Sequence, residues 1–495
     1  MKKLYRFSAI ALLVLPLVFT SCSDYLDRDD DDNITEADVF ARYEKVNGLV
    51  SDVYAAAKKA DRPLVFFEHF SNSAITDECE GTNVEGNITN NFNNGAWNPN
   101  SLPGSVGQYW EALYEGIRKA NLIIENVQKY NTPDNPQQDG DLRNRIGEMY
   151  FMRGYFHMLL LRMYGEAPYI DRVINAGDNM DFKKESVHSM VEKIVTHAPT
   201  AYGMVPNKYV KTSENFGRVD KGACLGLISF VRWVAATPLW NGASQYGYNL
   251  RRVFENEYAY DATRWRKAKE AAKAVLDFEV GGTKRYSLYT KHDANDFKDP
   301  ADGNLNDSRV YARLWDMFYD MDAFANEYVF FMTKSKDQAW QGDIYPPSRE
   351  GSSRQQPVQE QVDEYEYIVG DYGYPVYSAE ARKGGYDDTN PYVKGTRDPR
   401  FYRDVIYHGA PYRNNKNESK TINTASGSDK IGATNATTTG YYLRKFQQES
   451  WNKSGNFSIN APAIWRLPEF IYIYAEACNE LGEDIDEAYK LVNTV

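Results

Sequence analysis

The sequence predicts an all-α-dominated protein, a degenerate tetratricopeptide-like scaffold of helical pairs that carries one large irregular insertion. Three observations point there. Apolar residues recur at intervals of three and four through several long segments between residues 36 and 280, and again from residue 467. Between about 281 and 462 that period disappears, and Gly, Pro, Asp, Asn, Ser and Tyr dominate. No strict period of 34 residues is present, and the connections are longer than a regular tetratricopeptide array allows.

The chain opens MKKLYRFSAIALLVLPLVFTSCSDYLDRDDDD. Lys2, Lys3 and Arg6 precede an apolar run from residue 8 to 20. That run is shorter than the roughly 20 residues a spanning helix needs, and it fits a secretory signal. Thr20 and Ser21 before Cys22 resemble a bacterial lipobox, with Phe19 where Leu is usual. Residues 1–21 are therefore expected to be a lipoprotein signal peptide. Lipidation of Cys22 would hold the chain on a membrane, not through it. Asp24, Asp27 and the run Asp29 to Asp32 cannot help burial, so residues 22–34 read as a solvated acidic tether.

Residues 35–495 read as a single domain, with helical scaffold at about 35–280 and 463–495 and loop-rich insertion at about 281–462. The first helix is expected over 36–59, capped by Asn33 or Thr35, with Val46, Val50 and Val53 facing inward. Residues 71–103 are rich in Asn and Gly and hold no helical period. Such a long loop in a compact domain is usually functional. Helices follow over 109–130 and 141–164, the second with Arg153 inside its apolar stripe, where it should be paired. Gly165 and Pro168 stop it. A weaker helix spans 187–202.

The segment KGACLGLISFVRWVAATPL at 221–239 is apolar nearly all round and should be central and buried. Gly222, Ala223 and Gly226 would permit close helix contact there, and Arg232 argues against a membrane span. An amphipathic helix covers 263–278. Within the insertion, 328–333 and 405–407 read as short strands, and 414–440 as a mobile loop of Asn, Thr, Ser and Gly. A helix returns at 467–481, with Pro468 tolerated in its first turn and Gly482 ending it. DEAYKLVNTV then opens a helix that stops in mid-pattern, so residues beyond Val495 are expected to be missing.

Net charge is −12 with a pI near 5.2, so no nucleic acid partner is expected. Apart from Cys22, the cysteines are Cys79, Cys224 and Cys478, odd in number and far apart, and not a disulfide framework. The sequence has no G-x-S-x-G elbow, P-loop or H-E-x-x-H, and its six histidines show no ligand spacing. No enzymatic activity and no cofactor are expected. His157 reads as a packed residue, and Trp233 and Trp315 as core.

The 38 Tyr, 9 Trp and 23 Phe suit both helix packing and recognition of sugar rings, since these side chains offer flat apolar faces. A glycan site combines such faces with planar amide, carboxylate or guanidinium groups in a largely preformed pocket. Two loops offer the combination. In the first, Trp97 and Asn98 sit among asparagines, preceded by Asn72, Asp77 and Glu78. In the second, AWQGDIYPPSREGSSRQ brings Trp340, Gln341, Tyr345 and Arg349 into a turn-rich segment.

Five stretches together resemble the SusD/RagB family of Bacteroidetes outer-membrane lipoproteins. They are SCSDYLD, GEMYFMRGYFHMLLLRMYGEAPYI, GRVDKGACLGLISFVRWVAATPLWNG, RDPRFYRDVIYHG and RLPEFIYIYAEACNELG, in the family's order and spread over nearly the whole chain. Gly154, Gly226 and Pro468 stand where Ala is usual. The acidic residues after Cys22 also resemble the surface-export signal of such lipoproteins. The resemblance implies a surface-exposed, lipid-anchored binding protein of the cell outer membrane. It implies an oligosaccharide ligand, with peptides as the alternative, and a SusC-like TonB-dependent transporter as partner. A surface glycoside hydrolase is the less favoured reading. The resemblance places the ligand site at loops comparable to the two named above.

Overall fold

The computed structural model describes residues 35–60, 72–81, 88–98, 104–130, 136–209, 214–243, 252–290, 317–318, 320–332, 342–393, 395–413, 419–446 and 463–495. The expected signal peptide, Cys22, the acidic tether, Trp315, Trp340 and Gln341 lie outside them.

The scaffold is a stack of helices. The expected first helix is two: α1, Glu36–Phe40, and α2, Tyr43–Ala60. Thr35 caps α1 reciprocally, its hydroxyl accepting from the Asp38 N–H while its own N–H donates to the Asp38 carboxylate. Phe40, next to the break, is buried with its ring stacked 6.5 Å from that of Tyr130. After α3, Ile88–Asn93, come α4, Gly104–Tyr130, and α5, Pro136–Tyr164. Both begin about one turn before the periodic residues, because polar N-terminal turns carry no apolar signal. Gly165 ends α5 at φ 70°. Then follow α6, Val187–Met204, capped by Ser186; α7, Lys221–Ala236, capped by Asp220; and α8, Ala262–Leu276, capped by Asp261. The last two described are α9, Leu467–Leu481, and α10, Ile485–Val492.

From α4 onward each helix packs on the next, α2 lies on α4, and α9 packs on α8 across the nearly two hundred residues between them. The stack therefore continues as if the insertion were absent. A tetratricopeptide-like scaffold is the result, with α7 central as expected.

The insertion is fastened where it leaves and returns. Strand β3, Tyr328–Phe331, pairs antiparallel with β7, Ala463–Arg466, with Arg466 opposite Tyr328. Phe330 of β3 packs edge-on against Phe151 at 5.0 Å, and Trp465 of β7 against Tyr155 at 5.9 Å. Gly226 of α7 lets these strands approach, since a Cβ there would lie 3.0 Å from Val329 and 3.2 Å from Trp465.

Several buried polar side chains in the scaffold are paired, which offsets the cost of burying them. Glu148 of α5 accepts from Arg145, Arg218, Tyr54 and Tyr209. Arg153 donates to the Asn121 amide oxygen and the Asp171 carbonyl. His157 takes the Ile170 N–H on Nε2, so its Nδ1 carries the proton and donates to the Arg153 carbonyl. Burial pushes its pKa down to about 3. Cys79, Cys224 and Cys478 are buried free thiols.

One expectation needs correction. Residues 419–440 are not a loose loop, although 414–418 lie outside the described residues. Ile422, Ala436 and Thr437 are buried. The Gln356 side-chain oxygen accepts from Thr437 Oγ1, Thr438 N and Thr438 Oγ1. Short polar side chains here close turns and satisfy backbone groups, a role that composition alone does not separate from disorder.

Candidate functional site

The two loops singled out in the sequence are joined by backbone pairing. Strands β1, Ile75–Thr76, and β2, Cys79–Gly81, form a hairpin. β2 then pairs antiparallel with β4, Gln355–Pro357, with Cys79 opposite Pro357 and Gly81 opposite Gln355. A further bond runs from Val358 N–H to the Glu78 carbonyl, 3.2 Å.

Around this three-stranded sheet the candidates fall as follows. Asn72 opens the 3-10 turn Asn72–Ala74 that leads into β1 and is half-buried. Asp77 sits exposed at the tip of the β1–β2 hairpin. Asn93, the last residue of α3, donates through Nδ2 to the Ala74 carbonyl at 3.2 Å, which ties the Asn-rich segment to the hairpin. Trp97 follows, half-buried, its ring edge-on to Phe92 at 4.9 Å, with Asn98 exposed beside it. Asn72, Asp77, Trp97 and Asn98 thus gather around one hairpin.

On the β4 side, Arg349 ends the 3-10 turn Pro347–Arg349 and is half-buried. Tyr345 is a correction. It is only 2% exposed and packs with Phe401, Tyr402 and Ile406 in the insertion's own core, so its ring faces protein in this conformation. Trp340 and Gln341, just before this segment, lie outside the described residues.

Behind the sheet lies a cavity of about 730 Å³, within the size range typical of small-ligand sites. One wall is the hairpin and β4, through Ser73, Glu78, Cys79 and Gln355. The facing wall is α9, through Pro468, Glu469, Tyr472, Ile473 and Glu476. Trp233 of α7 also lines it, as do Tyr365, Asp404 and Phe446 of the insertion.

The α9 wall follows from helical spacing. Residues 469, 472, 473 and 476 share one face because positions three, four and seven apart align on a helix. Tyr472 is 49% exposed, so part of its ring is open to a planar partner. The Glu476 carboxylate accepts the Trp233 indole N–H at 2.7 Å. Burial raises the Glu469 carboxyl to about 7 against the opposing influence of Arg162 and Arg466. Arg466 is itself paired, its Nε 3.3 Å from Glu327. Asp404 is held by Arg403 and by the Tyr365 hydroxyl at 3.0 Å. Burial pushes the Cys79 thiol far up, so it is no nucleophile.

Sequence reasoning missed Glu469, Tyr472 and Glu476. The stretch RLPEFIYIYAEACNELG reads as scaffold because its other face is strongly apolar. The available signal was the polar or amphipathic residue at each of 469, 472 and 476, a single stripe. Trp233, expected as core, is half-buried and lines the cavity.

Two family models match complementary parts of the chain. Residues 24–231 match the SusD-like model described as starch-binding associating with outer membrane, and residues 314–495 match the SusD family model. The chain belongs to the SusD/RagB family. A curated relative, SusD-like protein P2 of Formosa agariphila, is 23% identical over 202 residues, 40% of this chain. The chain spans about 38% of the length of that relative. Among solved structures, a SusD-like protein from Bacteroides fragilis aligns with TM-score 0.67 and 18% identity, over 92% of this chain and 78% of the other. A SusD-like carbohydrate binding protein from the same species aligns with TM-score 0.65 and 14% identity, over 90% and 75%. A SusD homolog from Bacteroides thetaiotaomicron aligns with TM-score 0.59 and 15% identity, over 93% and 78%. These structures share the SusD fold with this chain, the tetratricopeptide-like stack with its insertion.

Proposed function

We propose that this SusD-family chain is a cell-surface glycan-binding lipoprotein. It is anchored through Cys22, captures oligosaccharides, and passes them to a SusC-like TonB-dependent transporter in the outer membrane. The observation that carries this reading is the sheet that unites the two candidate loops beside the aromatic, carboxylate-lined cavity. Sugar rings stack on flat aromatic faces, for which Trp97, Tyr472 and Trp340 are the candidates. Asn72, Asp77, Asn98, Gln341 and Arg349 supply planar polar groups for hydroxyls. Burial also quenches the Cys79 thiol in the lining as a nucleophile.

Isothermal titration calorimetry against a panel of oligosaccharides tests the reading, with Trp97→Ala and Tyr472→Ala as variants. At least one glycan should bind, and each substitution should weaken it about tenfold or more, in line with 1–3 kcal/mol for a stacked aromatic. No binding to any glycan, or unaltered binding in both variants, would refute the site. Metabolic labelling with a lipid precursor, with Cys22→Ala as control, tests the anchor.

A further inference from the structure

The charge on the α9 wall has a consequence for which glycans can enter. Glu469 and Glu476 flank Tyr472 on one helical face, and Glu78 of the hairpin lines the same cavity. None of the three carboxylates makes an ion pair within salt-bridge distance among the described residues. Among the described residues, two cations line the cavity, Arg466 and Lys445. Arg466 pairs with Glu327, and Lys445 lies 3.9 Å from Asp404, which Arg403 also neutralises. Arg162 is the further cation whose charge reaches Glu469, and it is solvent-exposed. A ligand anion in this cavity would thus meet three carboxylates outside any ion pair, against one paired arginine, Arg466, and one lysine, Lys445, that shares Asp404 with Arg403. A neutral sugar would meet hydrogen-bond acceptors, which suit vicinal hydroxyls, since an ionised carboxylate accepts through two oxygens.

We infer that this face reads ligand charge. The cavity accepts uncharged oligosaccharides and excludes those bearing uronate or sulfate groups, with Glu469 and Glu476 as the excluding residues. The inference rests on the glycan-capture reading and narrows its substrate class. Exclusion is electrostatic, so it should be weakest at high ionic strength, where screening is short-ranged.

The test uses matched probes: xylo-oligosaccharides with and without a glucuronate branch, and galactan oligosaccharides with and without sulfate, alongside the neutral panel. Titration of the wild-type chain at pH 8.5, above the raised value of about 7 for the Glu469 carboxyl, should find its ligands in the neutral set, each acidic counterpart binding at least tenfold more weakly. Glu469→Gln combined with Glu476→Gln removes both charges while nearly conserving side-chain shape, and should narrow that gap severalfold, read as the ratio of acidic to neutral affinity within each protein. Raising salt from 20 to 500 mM should narrow it in the wild type. An acidic glycan bound as tightly as its neutral counterpart overturns the inference while leaving capture intact. So does an unchanged gap in the double variant. Absence of any glycan binding overturns capture itself, and this inference with it.

Discussion

Glu469 offers the sharpest test of the cavity's electrostatics. It lies partly buried on α9, and its carboxyl is raised from the ordinary 4.5 to about 7 by loss of solvent. In the unfolded chain the same group returns to the ordinary value. Between pH 4.5 and 7 the folded state therefore holds a proton that the unfolded state releases, so stability falls as pH rises through this window. Above pH 7 the full penalty of the buried charge is present. At 1.36 kcal/mol per pKa unit, the displacement from 4.5 to about 7 sets a ceiling of roughly 3 kcal/mol. Glu469→Gln removes the charge and should recover most of it. Unfolding entropy near 2.1 cal/mol/K per residue gives about 1 kcal/mol/K for a chain of 495 residues, so the Tm gain should approach ~3 °C. The assay is differential scanning calorimetry of both proteins from pH 4.5 to 8.5. The Tm difference should be near zero at the acid end and grow to its plateau above pH 7. A variant less stable than the parent at pH 8 would mean that the carboxylate is well paired. A difference independent of pH would mean that it is not desolvated. Either result refutes the reasoning.

Three further expectations concern the scaffold and the insertion. Glu148→Gln strips charge from a fully buried carboxylate that neutralises Arg145 and Arg218, and urea denaturation should show a loss of about 3–5 kcal/mol. Gly222→Ala puts a Cβ 1.7 Å from the Tyr286 hydroxyl. Overpacking of this kind costs about 1–3 kcal/mol, and Tyr286→Phe in the same chain should recover part of it by the same measurement. Gln356→Ala removes the acceptor shared by Thr437 and Thr438. Hydrogen exchange should then quicken across residues 424–442 while the α5 and α7 amides stay protected.

The helices were legible because burial imposes a period on the sequence. Val46, Val50 and Val53 recur as α2 turns, and all three are fully buried. The Thr35 cap and the first-turn proline Pro468 were legible for the same local reason, since each acts within a turn of where it stands in the chain. The loops were legible only as loops. Nothing local in NITNNFNNGAWNPN announces that the preceding hairpin will pair with Gln355–Pro357, nearly three hundred residues away. Tyr345 was misread because an aromatic residue among Gly, Pro and charges looks exposed, whereas Phe401, Tyr402 and Ile406 come from a distant stretch to bury it. The α9 face was missed for the opposite reason, since its strong apolar side dominates the pattern and hides a second, cavity-lining side.

On the glycan-capture proposal, that division between helix and loop has a mechanical meaning. A site must hold its stacking groups rigidly and still suit a particular glycan. The α9 wall supplies rigidity, because the helix is locked on α8 and its strand neighbour β7 is locked by Trp465 against α5. The facing wall is a two-residue strand and its hairpin partner, held by a few backbone bonds to β4. Substitutions in the hairpin can change shape and polarity at little cost to the core, while changes at Tyr472 or Trp233 are felt by the scaffold as well. Ligand preference within the family should therefore drift first at hairpin positions that line the cavity, such as Ser73 and Glu78. Exchanging residues 72–81 and 88–98 for those of a relative with a different ligand should then transfer specificity without lowering Tm by more than a few degrees. A chimera that keeps the parent's ligand would assign specificity to the α9 wall instead.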